Sequence, residues 1–165
     1  MSTDLLTALG AALAIFLSSA GASLGSIPAG VFALRANSTL GWKSFIPIVI
    51  ADVLAIYGLI IAVILCGNVD ETEGYKHLCA GLAVGSACLA SGLAIGKFIH
   101  AQTPDAPKVR VDLEDCTATT EPLLAHNGIE STVVSGDEIF KTVCVLAFIE
   151  AIALYGLIVA LILVQ

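Results

Sequence analysis

The stretch DVLAIYGLIIAVIL (Asp52 to Leu65) lies over EAIALYGLIVALIL (Glu150 to Leu163) without a gap. Ala, Tyr-Gly, Leu-Ile, Ala and Ile-Leu coincide, and Asp52 falls on Glu150. Upstream, Lys43 falls on Lys141 in the same frame. Random apolar sequence would not place an acid, a Tyr-Gly pair and a basic helix entry in one register. The chain is therefore an internal duplication, the feature that decides a fold before any other. Each copy contributes a long apolar run broken by one acid.

The rest of the chain fits a membrane protein. Of 165 residues, 58% are hydrophobic and 13% charged, where soluble domains run nearer one-quarter charged. Four apolar stretches reach the ~20 residues that a membrane helix needs: 5–34, 45–66, 78–99 and 142–164. The alternating ten-residue strands of a barrel are absent, so helices are the spanning option. The first stretch has a signal-peptide reading, but Asp4 and no Lys or Arg precede its apolar run, which continues to Leu34. The expected fold is all-α and integral to the membrane, with four transmembrane helices as two parallel-repeat hairpins. The first hairpin covers 5–66. The second covers 78–165 and contains an inserted polar loop at 100–138. Each half has an even number of spans, so an inverted repeat is not expected.

Spans one and three are rich in small residues: Gly10, Ala14, Ser18, Gly21 and Gly25 in one, Gly81, Gly85, Gly92 and Gly96 in the other. Small residues four apart let helices approach closely in lipid. Gly21, Gly25, Gly81, Gly85, Gly92 and Gly96 are the expected helix-packing positions. Lys and Arg in short loops set orientation. Arg35 and Lys43 mark 35–44 as a cytoplasmic loop, and Lys97 and Lys141 flank 100–138. Asp70, Glu71 and Glu73 mark the opposite side, where both termini should lie.

The net charge of -7 and the absence of clustered Lys and Arg exclude a nucleic-acid binder. Much of the acidity sits in His100–Glu138, which also holds Pro104, Pro107 and Pro122. That composition predicts a loosely ordered segment, either a tolerated insertion or a docking site for a cytosolic partner. The five cysteines, Cys66, Cys79, Cys88, Cys116 and Cys144, show neither disulfide nor metal spacing and read as small apolar fillers. His77, His100 and His126 lie at span edges or in the loop and read as incidental. Neither a phosphate loop nor a hydrolase signature is present, and no metal or cofactor is expected.

The chemistry therefore rests on Asp52 and Glu150. Both are expected at similar depth, roughly 10–12 Å from the cytoplasmic end at 1.5 Å per residue. An ionised carboxylate there costs at least about 2.5 kcal/mol, so the neutral acid is the cheaper form. A group that rests neutral, but ionises beside a cation or water, is a reversible proton carrier. The competing reading is an inter-helix hydrogen bond that merely holds the bundle together. Tyr57 and Tyr155 follow their acids by five residues, which is a different helix face. They are candidates to bond an acid on a neighbouring helix, with plain packing as the alternative.

These residues resemble the proteolipid subunits of the vacuolar-type proton ATPase. The run from Leu78 to Gly96 looks like their third helix, Glu150 to Gln165 like their fourth, and Phe45 to Ile50 with Ala55 to Ile60 like their second. The resemblance implies a ring of proteolipid subunits, homo- or hetero-oligomeric, in lipid; the close packing of their small residues puts spans one and three toward its inside as an expectation. ATP hydrolysis elsewhere turns the ring, through cytosolic rotor subunits, past a static membrane subunit whose Arg meets each acid. Glu150 then holds the proton-carrier position, and Asp52 is a second candidate site. The usual c-type subunit has a small residue at Asp52, and the c″-type carries its acid in that helix; this chain has both. The family's short Gly-rich turn after the third helix is missing. Sodium-carrying relatives place Thr-Gln ahead of the Tyr-Gly and a Gln on the third helix. Here Val53-Leu54 stand there and 78–99 holds no Gln, so the proton is favoured over a cation that needs several oxygen ligands. The resemblance also implies a vacuolar or other acidic endomembrane. A structural or channel-forming four-helix protein without a rotary partner remains the alternative, and a small exporter is disfavoured by the parallel duplication.

Protease added to sealed vesicles from the cytosolic side should cut within His100–Glu138. Cutting from the lumenal side alone would invert the expected topology.

Overall fold

The computed structural model describes residues 3–67, 74–102 and 136–165. They form four helices: α1 (Thr3–Leu40), α2 (Ile46–Gly67), α3 (Gly74–Gln102) and α4 (Gly136–Val164), with no strand among the described residues. Each is long and apolar enough to cross a membrane. The fold is an all-helical membrane bundle.

Two boundaries differ from the sequence reading. The stretch 35–44 is not an open loop: α1 continues to Leu40, and a 3₁₀ turn, Gly41–Phe45, leads into α2. Gly41 has φ 56°, the left-handed conformation that ends helices just past their last helical residue. Ser44 Oγ then donates to the Gly41 carbonyl at 2.8 Å. Pro47 enters the first turn of α2, where a missing N–H costs nothing. The second difference is that α3 starts at Gly74 and runs through His100 to Gln102, while α4 starts at Gly136. Both ends of the expected 100–138 loop are therefore helical, and 103–135 lies outside the described residues, as do Cys116 and His126.

The most extensive packing is between α1 and α3, with α2 laid against α1 and α4 against α3. In lipid no hydrophobic drive brings helices together, so close van der Waals approach must do so. Gly21 and Gly92 face one another across this seam: a Cβ at Gly92 would run into the Gly21 carbonyl, and one at Gly21 into the Cys88 backbone. One turn set further along, Gly10 and Gly81 repeat the arrangement, with a Cβ at Gly10 only 2.6 Å from the His77 carbonyl oxygen. Gly85 lies over Leu17 and Leu13, and Gly25 against Ala51, Gly92 and Ile95. A Cβ at Gly96 would stand 2.7 Å from the Leu24 oxygen. Leu24 is four residues before Pro28, whose missing N–H leaves that carbonyl without its helical donor.

Burial along α2 follows one stripe: Ala51, Leu54, Gly58, Ile61, Ala62 and Leu65. On α4 the stripe is Thr142, Leu146, Ala153 and Ala160. The outward faces are equally apolar. Phe16 is 70% and Phe148 78% exposed, which suits lipid or a neighbouring subunit and not water.

Gly92→Ala should cost about 1–3 kcal/mol, the usual cost of overpacking, because the opposing atoms are backbone. Gly30→Ala, with nothing within 4 Å of its Cβ, should be neutral or stabilising by up to about 1 kcal/mol on helix propensity. Thermal unfolding of both variants in one detergent checks this. Equal midpoints would show that the α1–α3 approach is looser than described.

Candidate functional site

Glu150 lies on α4, half-buried, and its partner is on another helix in the other half of the chain. The Tyr57 hydroxyl donates to Glu150 Oε1 at 2.8 Å. Tyr57 is five residues beyond Asp52, so it leaves α2 on a different face and crosses toward α4. Gly58, the next residue, seats α2 on α1, where a Cβ would collide with Ser18 and the Ala14 carbonyl. Ser18 turns its own hydroxyl back to the Ala14 carbonyl at 2.7 Å. Gly156 seats α4 on α3 in the same manner, against Ala83 and Ala87. The two glycines of the duplicated Tyr-Gly pairs thus play one role, each holding an acid helix on its small-residue helix.

The backbone at Glu150 is held as well. Ser91, fully buried on α3, donates to the Ile149 carbonyl at 2.9 Å. That carbonyl carbon is bonded to the Glu150 nitrogen, so α3 fixes the peptide from which the acid projects. A second α3–α4 tie lies near the other end of the pair, where Gln102 Nε2 donates to Thr142 Oγ1 at 3.0 Å. Sequence reasoning missed Ser91. A lone serine among Gly and Ala looks like another small packing residue, and only the neighbouring helix reveals its acceptor.

The duplicate positions are unlike. Asp52 is exposed on the outer face of α2, with no hydrogen bond from the described residues. Tyr155 is 69% exposed and does not share the Tyr57 environment. His77, read as incidental, is buried and shares a 2.9 Å hydrogen bond with Thr7 Oγ1 across the α1–α3 seam. Cys88 is buried while Cys66 and Cys79 are exposed. Among the described residues no three His, Cys, Asp or Glu side chains gather as a metal site.

Such a site can hold a carboxyl group in lipid through a neutral donor, a hydroxyl that bonds either protonation state of its acceptor. It belongs to a membrane protein of four spanning helices with a half-buried acid on the last of them. No family model matches the chain. The chain is 34% identical over 163 residues to the V-type proton ATPase subunit c′ of Saccharomyces cerevisiae, covering 93% of this chain and 84% of the relative. It matches the subunit c′ of Candida glabrata at the same identity and coverage. To the human V-type proton ATPase 16 kDa proteolipid subunit c it is 32% identical, over 94% of this chain and 88% of the relative. The chain belongs to the proteolipid subunit family of the V-type proton ATPase.

Tyr57→Phe removes one hydroxyl and leaves the ring in place. Hydrogen bonds between membrane helices average about 0.6 and reach about 1.7 kcal/mol. Labelling of Glu150 by a lipid-soluble carbodiimide should therefore accelerate by roughly three- to eighteenfold, the Boltzmann factor of those energies. Peptide mapping would read it, and an unchanged rate would mean that Tyr57 does not restrain the carboxyl.

Proposed function

We propose that this chain is a proton-carrying proteolipid subunit in the rotating membrane ring of a V-type ATPase, with Glu150 as the obligatory carrier and Asp52 as an auxiliary site. The observation that carries this reading is the half-buried Glu150 carboxyl held by Tyr57. Relatives named as V-type proton ATPase subunits, matched over nearly the whole chain, support it over a four-helix channel without a rotary partner. In this role the chain binds and releases protons, and ATP is hydrolysed on other subunits.

The cycle follows from the energetics of lipid. Glu150 crosses the lipid-facing part of the rotation as the neutral acid, because an unpaired carboxylate there costs at least about 2.5 kcal/mol. At the static subunit a fixed Arg favours the ionised form, and the proton leaves. Moving one proton against 100 mV takes about 2.3 kcal/mol, supplied by the rotor. Family resemblance supports the Arg-bearing partner, the cytosolic rotor subunits and a vacuolar or other acidic endomembrane. Lys and Arg placement supports lumenal termini with 35–44 and 100–138 toward the cytosol. Spans one and three would face the inside of the ring.

Glu150→Gln cannot ionise and should abolish ATP-driven proton pumping in vesicles while the ring still assembles. Asp52→Asn should retain measurable pumping. Normal pumping by Glu150→Gln with a dead Asp52→Asn would reverse the assignment and make this a c″-type subunit.

A further inference from the structure

The duplication lays Asp52, Tyr57 and Gly58 over Glu150, Tyr155 and Gly156 in one register. The structure treats these two acid helices alike where both have a neighbour to pack on: Gly58 seats on α1 at Ala14 and Ser18, Gly156 on α3 at Ala83 and Ala87. The two acid helices are then tied sideways by one polar contact among the described residues, the tyrosine of the first half on the acid of the second. That contact leaves two loose ends of the same kind. The first half has an acid, Asp52, with no hydrogen bond from the described residues. The second half has a tyrosine, Tyr155, that is 69% exposed.

Within one chain only the step from first half to second can be made. The step from second half to first needs another chain that presents its α2 where this chain presents α4. Repeating one sideways contact in the same sense is a heterologous association, which closes into a ring when its rotation permits.

We infer that Tyr155 of one copy donates a hydrogen bond to Asp52 of the next copy, forming between chains the contact that Tyr57 and Glu150 form within one. The surroundings suit such an interface. Asp52 stands in an exposed apolar stripe with Val49, Ile56 and Val63, and Tyr155 in another with Phe148, Ile152 and Ile162. Each stripe thus carries one polar group, donor on one side and acceptor on the other. An acid left to lipid alone is costly, and a neutral donor relieves that cost without fixing the acid as an ion. The occupant is a second copy of this chain because the acceptor that Tyr155 requires, an acid in the first-half helix, is one this chain itself supplies. The inference rests on the ring reading proposed above.

The test uses the full chain, expressed with two different tags in its native membrane complex. Tyr155 is replaced by p-benzoylphenylalanine, the complex is purified and irradiated, and adducts are mapped by mass spectrometry. The expected adduct joins two copies, with the second site in the stretch of α2 around Asp52. Adducts only to lipid, to the same chain or to a different protein overturn the pairing, as does failure of one tag to recover the other. In each of those cases co-purifying ATPase subunits leave the ring reading standing. A solitary chain with no ATPase subunits overturns both. Should the benzophenone variant fail to assemble, Tyr155→Phe gives an independent reading. Carbodiimide labelling of Asp52 should rise about threefold with Glu150 labelling unchanged. Equal labelling of Asp52 in Tyr155→Phe and the parent chain refutes the contact.

Discussion

Close approach of α1 and α3 is the constraint on which the rest of the molecule depends. Lipid is as apolar as leucine, so these helices gain little by burying large side chains against each other. What they gain comes from dispersion between many atoms at contact distance, and this requires that no Cβ intervene. Gly21 against Gly92 and Gly10 against Gly81 meet that requirement at two levels of one seam. The Leu24 carbonyl, four residues before Pro28, lies opposite Gly96 in the same seam, where a Cβ would again intrude. The same seam buries His77, whose ring is satisfied by Thr7 at 2.9 Å.

With that pair fixed, α2 and α4 become an outer layer, each resting on one inner helix through the glycine of its Tyr-Gly pair. This places the acids. Asp52 leaves the bundle on the outer face of α2, whereas Glu150 lies where α4 turns toward α2 and can be reached by Tyr57. Glu150 is held from two directions: α3 anchors the peptide behind it through Ser91, and α2 holds its carboxyl. α4 is the least buried of the four spans. A few directed contacts therefore matter more for its rotation than they would for a helix packed on all sides.

Much of the fold was legible in the sequence because hydrophobic length is a direct physical requirement of the bilayer. Four apolar runs of spanning length became four helices. Helix ends were less legible. Arg35 to Leu40 carries polar residues that end the apolar run, yet a helix needs only its own backbone bonds to continue, and α1 does so until Gly41. Similarly, His100 and Gln102 look like loop and belong to α3. At the site, the sequence placed both acids and both tyrosines in a shared register, which is a statement about single helices. It left the partners of Tyr57 and Tyr155 open, because azimuths of separate helices relative to one another are not written in spacing along either. The Thr7–His77 and Ser91–Ile149 bonds join residues 70 and 58 positions apart and have no local signature at all.

The choice of tyrosine as the partner of Glu150 is itself informative about what the acid can do. A Lys or Arg at that place would lock the carboxylate as an ion, and its removal from the pair would leave a buried charge. A Phe would leave the acid without a donor in an apolar setting. A phenol lies between these extremes. Its hydroxyl can bond an ionised carboxylate or the carbonyl oxygen of the neutral acid, so the contact persists through a change of protonation state. The one cation within the four apolar stretches, Lys97, stands near the end of α3, and the tie from α3 to the peptide behind Glu150 is the uncharged Ser91. Among the described residues, the hydrogen bonds to the acid and to the peptide behind it come from uncharged hydroxyls. Such contacts hold the carboxyl in place without fixing it as an ion.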